Sequence, residues 1–283
     1  MSYSLNIPEE FINNKSILIT GGTGSFGKQM LKTLLENFKP KKIVIFSRDE
    51  FKQSEMQKEF CNKKYPCLRY FLGDIRDKER LMEAFRNIDI IFHAAALKQV
   101  PAIEYNPSEA IKTNIYGAEN IIKAAIANKV KKVISISTDK AVSPANLYGA
   151  TKLCFEKLFI AANNIVGEGD TKFCILRYGN VFKSRGSVVP LFLEQSKTNK
   201  FTVTDSQMTR FNLTLDSAIN FVLNCSSKMI GGEIFVPKLK SYNIIDLCNI
   251  INPEAEIEIT GIRPGEKLHE CMINSIETSK CYE

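Results

Sequence analysis

Residues 17–27 read ILITGGTGSFG, and this stretch decides the fold. Its apolar start predicts a buried strand, and Gly21, Gly24 and Gly27 follow at intervals of three. A glycine-rich turn between a strand and a helix holds a pyrophosphate at the helix N-terminus. The first glycine permits the tight turn, the second admits the pyrophosphate, and the third lets the helix pack on the strand. A purely structural turn is the alternative. The dinucleotide contacts that we expect here are Gly21, Thr23, Gly24, Ser25, Phe26 and Gly27.

Short β-rich segments alternate with longer amphipathic ones on either side of this turn. The segments that predict strands are 17–20, 43–47, 69–72, 90–93, 133–137 and 173–177. The segments that predict helices are 26–37, 51–60, 78–85, 107–128 and 148–163. This alternation predicts an α/β fold, a Rossmann-type doubly wound parallel sheet with helices on both faces. The alternation of predicted strands and helices ends near residue 180. We therefore expect a dinucleotide-binding domain over residues 1–180 and a smaller C-terminal α/β substrate lobe over 181–283, with an approximate boundary and interleaved lobes.

The composition excludes several classes of protein. The 283 residues are 44% apolar and 24% charged, as in an ordinary globular chain. The longest mostly apolar run, 88–97, is too short to span a membrane, and residues 1–15 lack the apolar core of a secretion signal. With two His and no Cys-x-x-Cys pair, we expect no metal site. Without a secretion signal, the eight cysteines are expected to be free thiols of a cytoplasmic protein with no membrane partner. The net charge of +7 forms no basic stripe with interleaved aromatics, so we expect no nucleic-acid partner.

The end of the second predicted strand indicates which dinucleotide binds. NAD-specific sites place an acidic residue there to hold the ribose 2′-hydroxyl, whereas this chain reads Ser47, Arg48 and Asp49. The Arg48 guanidinium could form charge-assisted bonds to a 2′-phosphate, so we favour NADP, while Asp49 leaves NAD open. Asp74 could reach the adenine amino group or could cap a helix. The cofactor contacts expected in this region are Ser47, Arg48, Lys52, Asp74 and Ile75.

A second motif joins the end of the fifth predicted strand to the next helix. Residues 137–140 read STDK, and Tyr148 and Lys152, four apart, project from one helix face. Downstream of a dinucleotide turn, this pattern resembles the extended branch of the short-chain dehydrogenase/reductase superfamily. The resemblance implies that Tyr148 is the acid or base on a sugar hydroxyl that Thr138 also bonds. It implies that Lys152 bonds the nicotinamide ribose and lowers the pKa of Tyr148. The further cofactor positions implied are Ala94, Ala95, Ala96, Lys98 and Asn114.

The adjacent Asp139 and Lys140 indicate a second chemical step. Oxidation of a hydroxyl alone needs only Thr138, Tyr148 and Lys152. Once C4 of a sugar is a ketone, a base can remove the C5 proton and an acid can protonate the leaving C6 hydroxyl. A surface ion pair between Asp139 and Lys140 is the alternative. The catalytic set that we expect is Thr138, Asp139, Lys140, Tyr148 and Lys152.

Four segments carry a closer resemblance, 47–50 (SRDE), 94–98 (AAALK), 138–141 (TDKA) and 146–152 (NLYGATK). They resemble the UDP-N-acetylglucosamine 4,6-dehydratases, most nearly the soluble inverting enzymes that begin pseudaminic acid biosynthesis. The resemblance implies tightly bound NADP that is regenerated in each turnover, UDP-N-acetylglucosamine as substrate, and a homo-oligomer, either dimer or hexamer. A C5-retaining 4,6-dehydratase, a UDP-sugar 4-epimerase and a non-catalytic NADP-sensing regulator are the alternatives.

The C-terminal part supplies groups suited to a nucleoside diphosphate sugar. Residues 263–267 (RPGEK) offer a guanidinium for the diphosphate and a carboxylate for the ribose or base. By resemblance, Asn180 contacts the diphosphate and 185–190 (RGSVVP) form the loop beside the uracil. The substrate contacts implied are Lys98, Thr138, Tyr178, Asn180, Arg185, Val188, Val189, Arg210, Arg263 and Glu266.

Overall fold

The structure is a computed structural model that describes residues 3–182 and 187–283. Its strands in chain order are β1 (Ser16–Thr20), β2 (Lys42–Ser47), β3 (Leu68–Leu72), β4 (Ile90–His93), β5 (Lys132–Thr138), β6 (Lys172–Tyr178), β7 (Asn180–Val181), β8 (Lys200–Val203), β9 (Thr209–Leu213), β10 (Ile234–Phe235), β11 (Ser241–Asn243) and β12 (Glu256–Ile259). Seven of them form one sheet in the order β3-β2-β1-β4-β5-β6-β10, with every neighbouring pair parallel. The predicted Rossmann-type doubly wound sheet is confirmed. Its strand order reverses between β1 and β4, which is where such sheets bind ligands.

Helices pack on both faces of this sheet. The helices of the described residues, in chain order, are α1 (Ser25–Asn37), α2 (Glu50–Glu59), α3 (Lys78–Ala84), α4 (Val100–Tyr105), α5 (Pro107–Ile111), α6 (Gly117–Ala127), α7 (Leu147–Ile165), α8 (Val188–Gln195), α9 (Leu215–Lys228), α10 (Ile244–Ile251) and α11 (Ser275–Thr278). Among them, α1 and α9 pack on one face and α3, α6 and α7 on the other. No helix within the described ranges has both the length and the apolar character needed to cross a membrane.

One predicted helix is interrupted. The sequence pattern over 107–128 predicts a single helix, but a π-helical turn, Lys112–Tyr116, separates α5 from α6. The wider turn coincides with Asn114, whose side-chain amide bonds both backbone groups of Leu97. Single π turns inside helices are frequent at functional sites. Here the turn holds the strand-to-helix segment after β4 against the helix layer.

Alternating side chains of the central strands build two cores, one on each face of the sheet. Ile17 and Ile19 pack with α1 and α9, whereas Leu18 packs on the opposite face with α3, α6 and α7. All five residues of β1 are buried. This burial explains why the strand reads as an apolar run rather than as an alternating pattern, because both of its faces are covered.

The chain beyond residue 180 contributes to two regions of the fold, a small separate core and the main sheet. A three-stranded sheet, in the order β11-β9-β7, and the parallel pair of β8 and β12 lie beside a separate small core that includes Phe192, Phe201 and Ile244. In contrast, α9 packs in the core of the main sheet, and β10 pairs with β6 at its edge. A division of the chain at residue 180 stays a prediction, and the segment 215–235 lies with the main sheet.

Candidate active site

A cleft of about 900 Å³ opens at the carboxyl ends of the strands, where the order of the main sheet reverses. Most of the residues predicted from the sequence line it. They are Gly21, Thr23, Gly24, Ser25, Phe26, Ser47, Arg48, Lys52, Asp74, Ile75, Ala94, Ala95, Ala96, Lys98, Thr138, Lys140, Tyr148, Lys152, Tyr178, Asn180, Val188 and Arg263. Six predicted residues lie elsewhere, namely Gly27, Asn114, Asp139, Val189, Arg210 and Glu266. Arg185 lies outside the described residues.

The glycine turn after β1 leaves room that side chains would fill. Gly21 has φ +64°, and a Cβ there would lie 2.9 Å from the backbone of Ala95 across the cleft. A Cβ on Gly27 would collide with the backbone of Gly22, so this glycine lets α1 pack against the turn. Gly24 is the N-cap of α1 and offers no side-chain cap. The first N–H groups of the helix therefore face the cleft as an anion site.

The carboxylate after β2 is already engaged. Asp49 caps α2 by accepting a hydrogen bond from the Lys52 backbone N–H at 2.9 Å, and its other oxygen lies 2.7 Å from Lys52 Nζ. These bonds from Lys52 lower the pKa of Asp49. Arg48 is held less tightly than Asp49. Its side chain is 53% exposed, and its Nη1 lies 3.6 Å from Oδ2 of Asp74. Both residues line the cleft, and Arg48 is the less tightly engaged of the two.

The start of α7 sets two predicted catalytic groups side by side. Asn146 caps the helix by accepting from the Gly149 N–H at 2.8 Å, which places Tyr148 and Lys152 in the first two turns. Burial raises the pKa of Tyr148 above its ordinary value, the charge of Asp139 raises it further, and a hydrogen bond with Thr138 lowers it. Together these contacts form one phenol–hydroxyl–carboxylate cluster.

Lys152 is a buried amine at the floor of the cleft. Its Nζ donates to the Ile136 carbonyl at 2.6 Å and lies 3.2 Å from the centre of the Phe155 ring. Burial lowers its pKa to about 7, and the charge of Glu156 partly opposes this shift. At neutral pH the amine is therefore close to the midpoint of its titration.

Asp139 and Lys140 are not a surface ion pair. The Asp139 side chain is 0% exposed and Lys140 is 22% exposed. The Asp139 Oδ1 accepts from the Thr138 hydroxyl at 2.9 Å and from Lys140 Nζ at 3.1 Å, while its Oδ2 has no hydrogen-bond partner among the described residues. Asp139 thus lies one layer behind the cleft, and the two residues that contact it form the wall.

The other predicted residues outside the cleft have visible partners. The Asn114 amide donates to the Leu97 carbonyl and to the Thr151 hydroxyl, so it supports the wall from behind, and Thr113 takes its place at the surface. The Arg210 guanidinium donates to the carbonyls of residues 209 and 268. Glu266 bonds the backbone N–H of residue 263. Val189 is buried next to Val188 in the first turn of α8.

Sequence reasoning missed one charged residue near Lys140. Glu270 Oε1 lies 3.5 Å from Lys140 Nζ, and Glu270 Oε2 lies 3.5 Å from Lys267 Nζ. Glu270 belongs to the segment 263–270, RPGEKLHE, whose Arg263 and Glu266 were predicted nucleotide contacts. The second glutamate, four residues after the first, was the available signal.

Comparison with known proteins identifies the family. Residues 17–283 match the model of a family described as polysaccharide biosynthesis protein. The chain belongs to this family. One member, the UDP-N-acetylglucosamine 4,6-dehydratase (inverting) of Campylobacter jejuni subsp. jejuni serotype O:2, is 56% identical over 96% of this chain and 81% of its own length. The predicted resemblance to such dehydratases, within the extended short-chain dehydrogenase/reductases, is confirmed.

Two other members widen the comparison. A UDP-glucose 4-epimerase of Rickettsia akari is 45% identical, over 94% of this chain and 80% of the epimerase. The X-ray structure of Pen from Bacillus thuringiensis superposes with a TM-score of 0.92 at 44% identity, covering 96% of this chain and 88% of Pen. The chain is therefore similar at substantial identity to proteins with both dehydratase and epimerase names.

Proposed function

We propose that this protein is a hydro-lyase, a UDP-N-acetylglucosamine 4,6-dehydratase that inverts C5. The observation that carries the proposal is the buried Asp139–Lys140 pair, which touches the cleft wall beside Tyr148. An epimerase breaks no C–O bond at C6 and has no use for this second acid and base. The name of the Campylobacter relative supports the same reaction at higher identity than the epimerase name does. The product would be UDP-2-acetamido-2,6-dideoxy-β-L-arabino-hex-4-ulose, a precursor for pseudaminic acid-type or related surface glycans.

The cleft suits a nicotinamide dinucleotide. Gly21 leaves the space that a pyrophosphate needs, the start of α1 has no side-chain cap on its N–H groups, and Ala94–Ala96 form a small-residue wall opposite. When bound, this cofactor would accept a hydride from C4 and return it to C6. We favour NADP over NAD because Asp49 is occupied by its cap and ion pair, whereas Arg48 is exposed at the strand end.

The first half of the reaction falls to Tyr148 and its neighbours. The phenol oxygen takes the proton of the C4 hydroxyl, and the Thr138 hydroxyl, which bonds Tyr148, orients the same sugar oxygen. With the pKa of Lys152 at about 7, part of the population carries a positive charge at neutral pH. The predicted lowering of the Tyr148 pKa by Lys152 is not seen here, because burial and the charge of Asp139 raise that pKa. The phenolate that the step requires would need the positive charge of Lys152 to offset them.

The second half falls to Asp139 and Lys140. Their 3.1 Å contact allows one proton to pass from the ammonium to the carboxylate, which yields a neutral amine and a carboxylic acid. The amine then takes the C5 proton, the C5–H electron pair forms the C5–C6 double bond, and the C6–O bond breaks. The Asp139 proton reaches the departing oxygen through the Thr138 hydroxyl, and water leaves. The pair thereby returns to its charged state.

Inversion at C5 requires proton return from the opposite face. Lys140 removes the original proton from one face of the sugar. Tyr148, protonated in the first half-reaction, lines the same cleft and is the acid that we assign to the other face. A ring shift between the two steps would then yield the L-arabino configuration.

Product analysis after incubation with UDP-N-acetylglucosamine in D2O tests the function. We expect loss of one water, no net accumulation of reduced cofactor, deuterium at C5 and L-arabino couplings after the ketone is trapped by reduction. A product of unchanged mass with protium at C5 would show a 4-epimerase instead. A D-xylo ketone as the first species would overturn inversion but leave the dehydration standing.

Replacement of Arg48 by alanine tests the choice of cofactor. We expect NADP binding to weaken by about 1.5–3 kcal/mol, the worth of a hydrogen bond to a charged group, with NAD binding nearly unchanged. Calorimetric titration of the cofactor-free protein measures both. Arg86→Ala, an exposed arginine far along the sheet from the cleft, is the matched control. Equal losses for the two dinucleotides would make Arg48 a structural residue.

A further inference from the structure

The segment 263–270 is fastened to the catalytic loop as well as to the C-terminal region. The Asn146 amide donates to the Gly265 carbonyl at 2.8 Å, and Lys267 Nζ donates to the Val142 carbonyl at 2.6 Å. On its other side, the Thr209 N–H donates to the Leu268 carbonyl at 3.1 Å. These bonds hold the end of the segment in place. They deliver its last side chain, Glu270, to the back of the catalytic pair.

Glu270 is a buried carboxylate with loose partners. The residue is 8% exposed, and its two oxygens lie 3.5 Å from the ammonium groups of Lys140 and Lys267. Its Oε2 makes no hydrogen bond to any described residue. A buried charge with few hydrogen bonds costs stability, so a purely structural role would be expected to come with tighter contacts.

A second buried glutamate shows what a structural ion pair looks like in this chain. Glu156 binds the Arg177 guanidinium with two bonds of 2.7 and 3.1 Å, and the Ser137 hydroxyl adds a third at 2.6 Å. That arrangement locks both partners. The contacts of Glu270 are nearly an ångström longer than the shortest of these, so they attract Lys140 without fixing it.

The surroundings of Lys140 explain what such an attraction does. The Lys140 Nζ donates hydrogen bonds to Asp139 at 3.1 Å and to Asn180 at 3.3 Å. Glu270 adds an ion pair at 3.5 Å, and an ammonium has a third N–H group that could turn toward it. The free Asp139 Oδ2 is a competing site on one side of this arrangement. Without Glu270, the ammonium would be drawn onto both oxygens of Asp139.

We propose that Glu270 is a positioning residue that holds the Lys140 amine between Asp139 and the cleft. This inference rests on the proposed function, in which Lys140 acts only in the elimination. A closed Asp139–Lys140 pair would bind the acid to the base and remove the amine from the C5 proton. Oxidation at C4 depends on Tyr148 and Thr138, so loss of Glu270 should leave that half-reaction intact.

The experiment compares Glu270→Gln and Glu270→Ala with Glu254→Gln, an exposed glutamate on the loop before β12, in the holoenzyme with UDP-N-acetylglucosamine. For Glu270→Gln we expect kcat to fall by roughly tenfold, as for loss of one charge near a reacting amine, with KM unchanged. The kcat of the Glu270→Ala variant should fall further, because alanine also removes the side-chain oxygen that glutamine keeps near Lys140. In both variants the absorbance of reduced nicotinamide should rise at the wild-type rate and persist, while deuterium incorporation at C5 falls in step with kcat.

Each other outcome has a definite meaning. Wild-type kcat in Glu270→Gln would overturn the positioning role, and so would equal losses in C4 oxidation and elimination, which indicate general damage to the fold. If Glu270→Ala does not fold, the isosteric Gln variant decides alone. If the wild-type protein itself releases no water from the sugar, the proposed function fails, and the inference with it. Water release by the wild type and by Glu270→Gln at equal rates would sink the inference only.

Discussion

Lys140→Ala should stop the reaction halfway. Lys140 Nζ is the group that can take a proton in the elimination, because it lies on the cleft wall within 3.1 Å of the buried Asp139. Alanine leaves Tyr148, Thr138 and Lys152 in place, so the C4 hydroxyl is still oxidised. We expect product formation to fall by about 10²–10⁴-fold, the usual contribution of a positioned acid or base. Reduced nicotinamide and the 4-keto sugar should accumulate together, in an amount equal to the active sites.

Tyr148→Phe is the complementary change. The substitution keeps an aromatic ring at position 148 of α7 but removes the phenol oxygen that is hydrogen-bonded with Thr138. No reduced nicotinamide should then form, and the substrate should be recovered unchanged. Single-turnover absorbance, with quenched samples analysed by mass spectrometry, distinguishes the two variants in one series.

Lys123→Ala, an exposed lysine on α6 paired with Glu119, is the control for loss of a positive charge, and it should turn over as the wild type does. If Lys140→Ala also turned over at the wild-type rate, its role as the base would be lost. If instead it blocked oxidation at C4, the two half-reactions would not be separable in the way that the site geometry requires.

Glu156→Gln should greatly lower the free energy of unfolding, although glutamine has nearly the same shape as glutamate. Glu156 and Arg177 are each 1% exposed and are joined by bonds of 2.7 and 3.1 Å between α7 and β6. Removal of one partner of a buried pair typically costs about 3–5 kcal/mol, because the other charge stays buried. Glu277 still contacts the Arg177 guanidinium at 2.7 and 2.9 Å, so we expect the low end, about 3 kcal/mol. Urea unfolding should show a lower midpoint with an unchanged slope.

Glu277→Gln is the matched comparison, since it removes the other carboxylate from the same arginine. The Glu277 side chain is 27% exposed, and solvent screening reduces what its charge contributes. We expect a loss of about 1 kcal/mol or less. A loss for Glu277→Gln as large as that for Glu156→Gln would mean that burial does not govern the energy of this network.

The doubly wound sheet could be predicted because its signals are local. The apolar run 17–20 predicts a strand buried on both faces because a glycine-rich turn follows it, and the glycine spacing fits a turn that joins strand to helix. The positions of Tyr148 and Lys152 follow from helical periodicity in the same way. Most of the cleft lining predicted from the sequence came from such short segments at strand ends.

The interruption of the 107–128 helix was not predictable from periodicity. Asn114 bonds Leu97, which is 17 residues earlier in the chain, and the π turn occurs where that contact forms. A hydrophobic pattern records which face of a helix is buried. It does not record a backbone widening that depends on a polar partner from another element.

Local sequence was enough to predict the fold class, the dinucleotide turn and the acid and base that follow β5. Each of these features depends on residues that are neighbours in the chain. Three features became visible only in the folded protein. Asp139 lies behind the cleft wall, Asp49 caps α2, and Glu270 contacts Lys140. The last contact joins residues 130 positions apart, by way of a segment pinned to the catalytic loop. Such pairings depend on how folded elements pack, and burial then sets how strongly each charge acts on its neighbour.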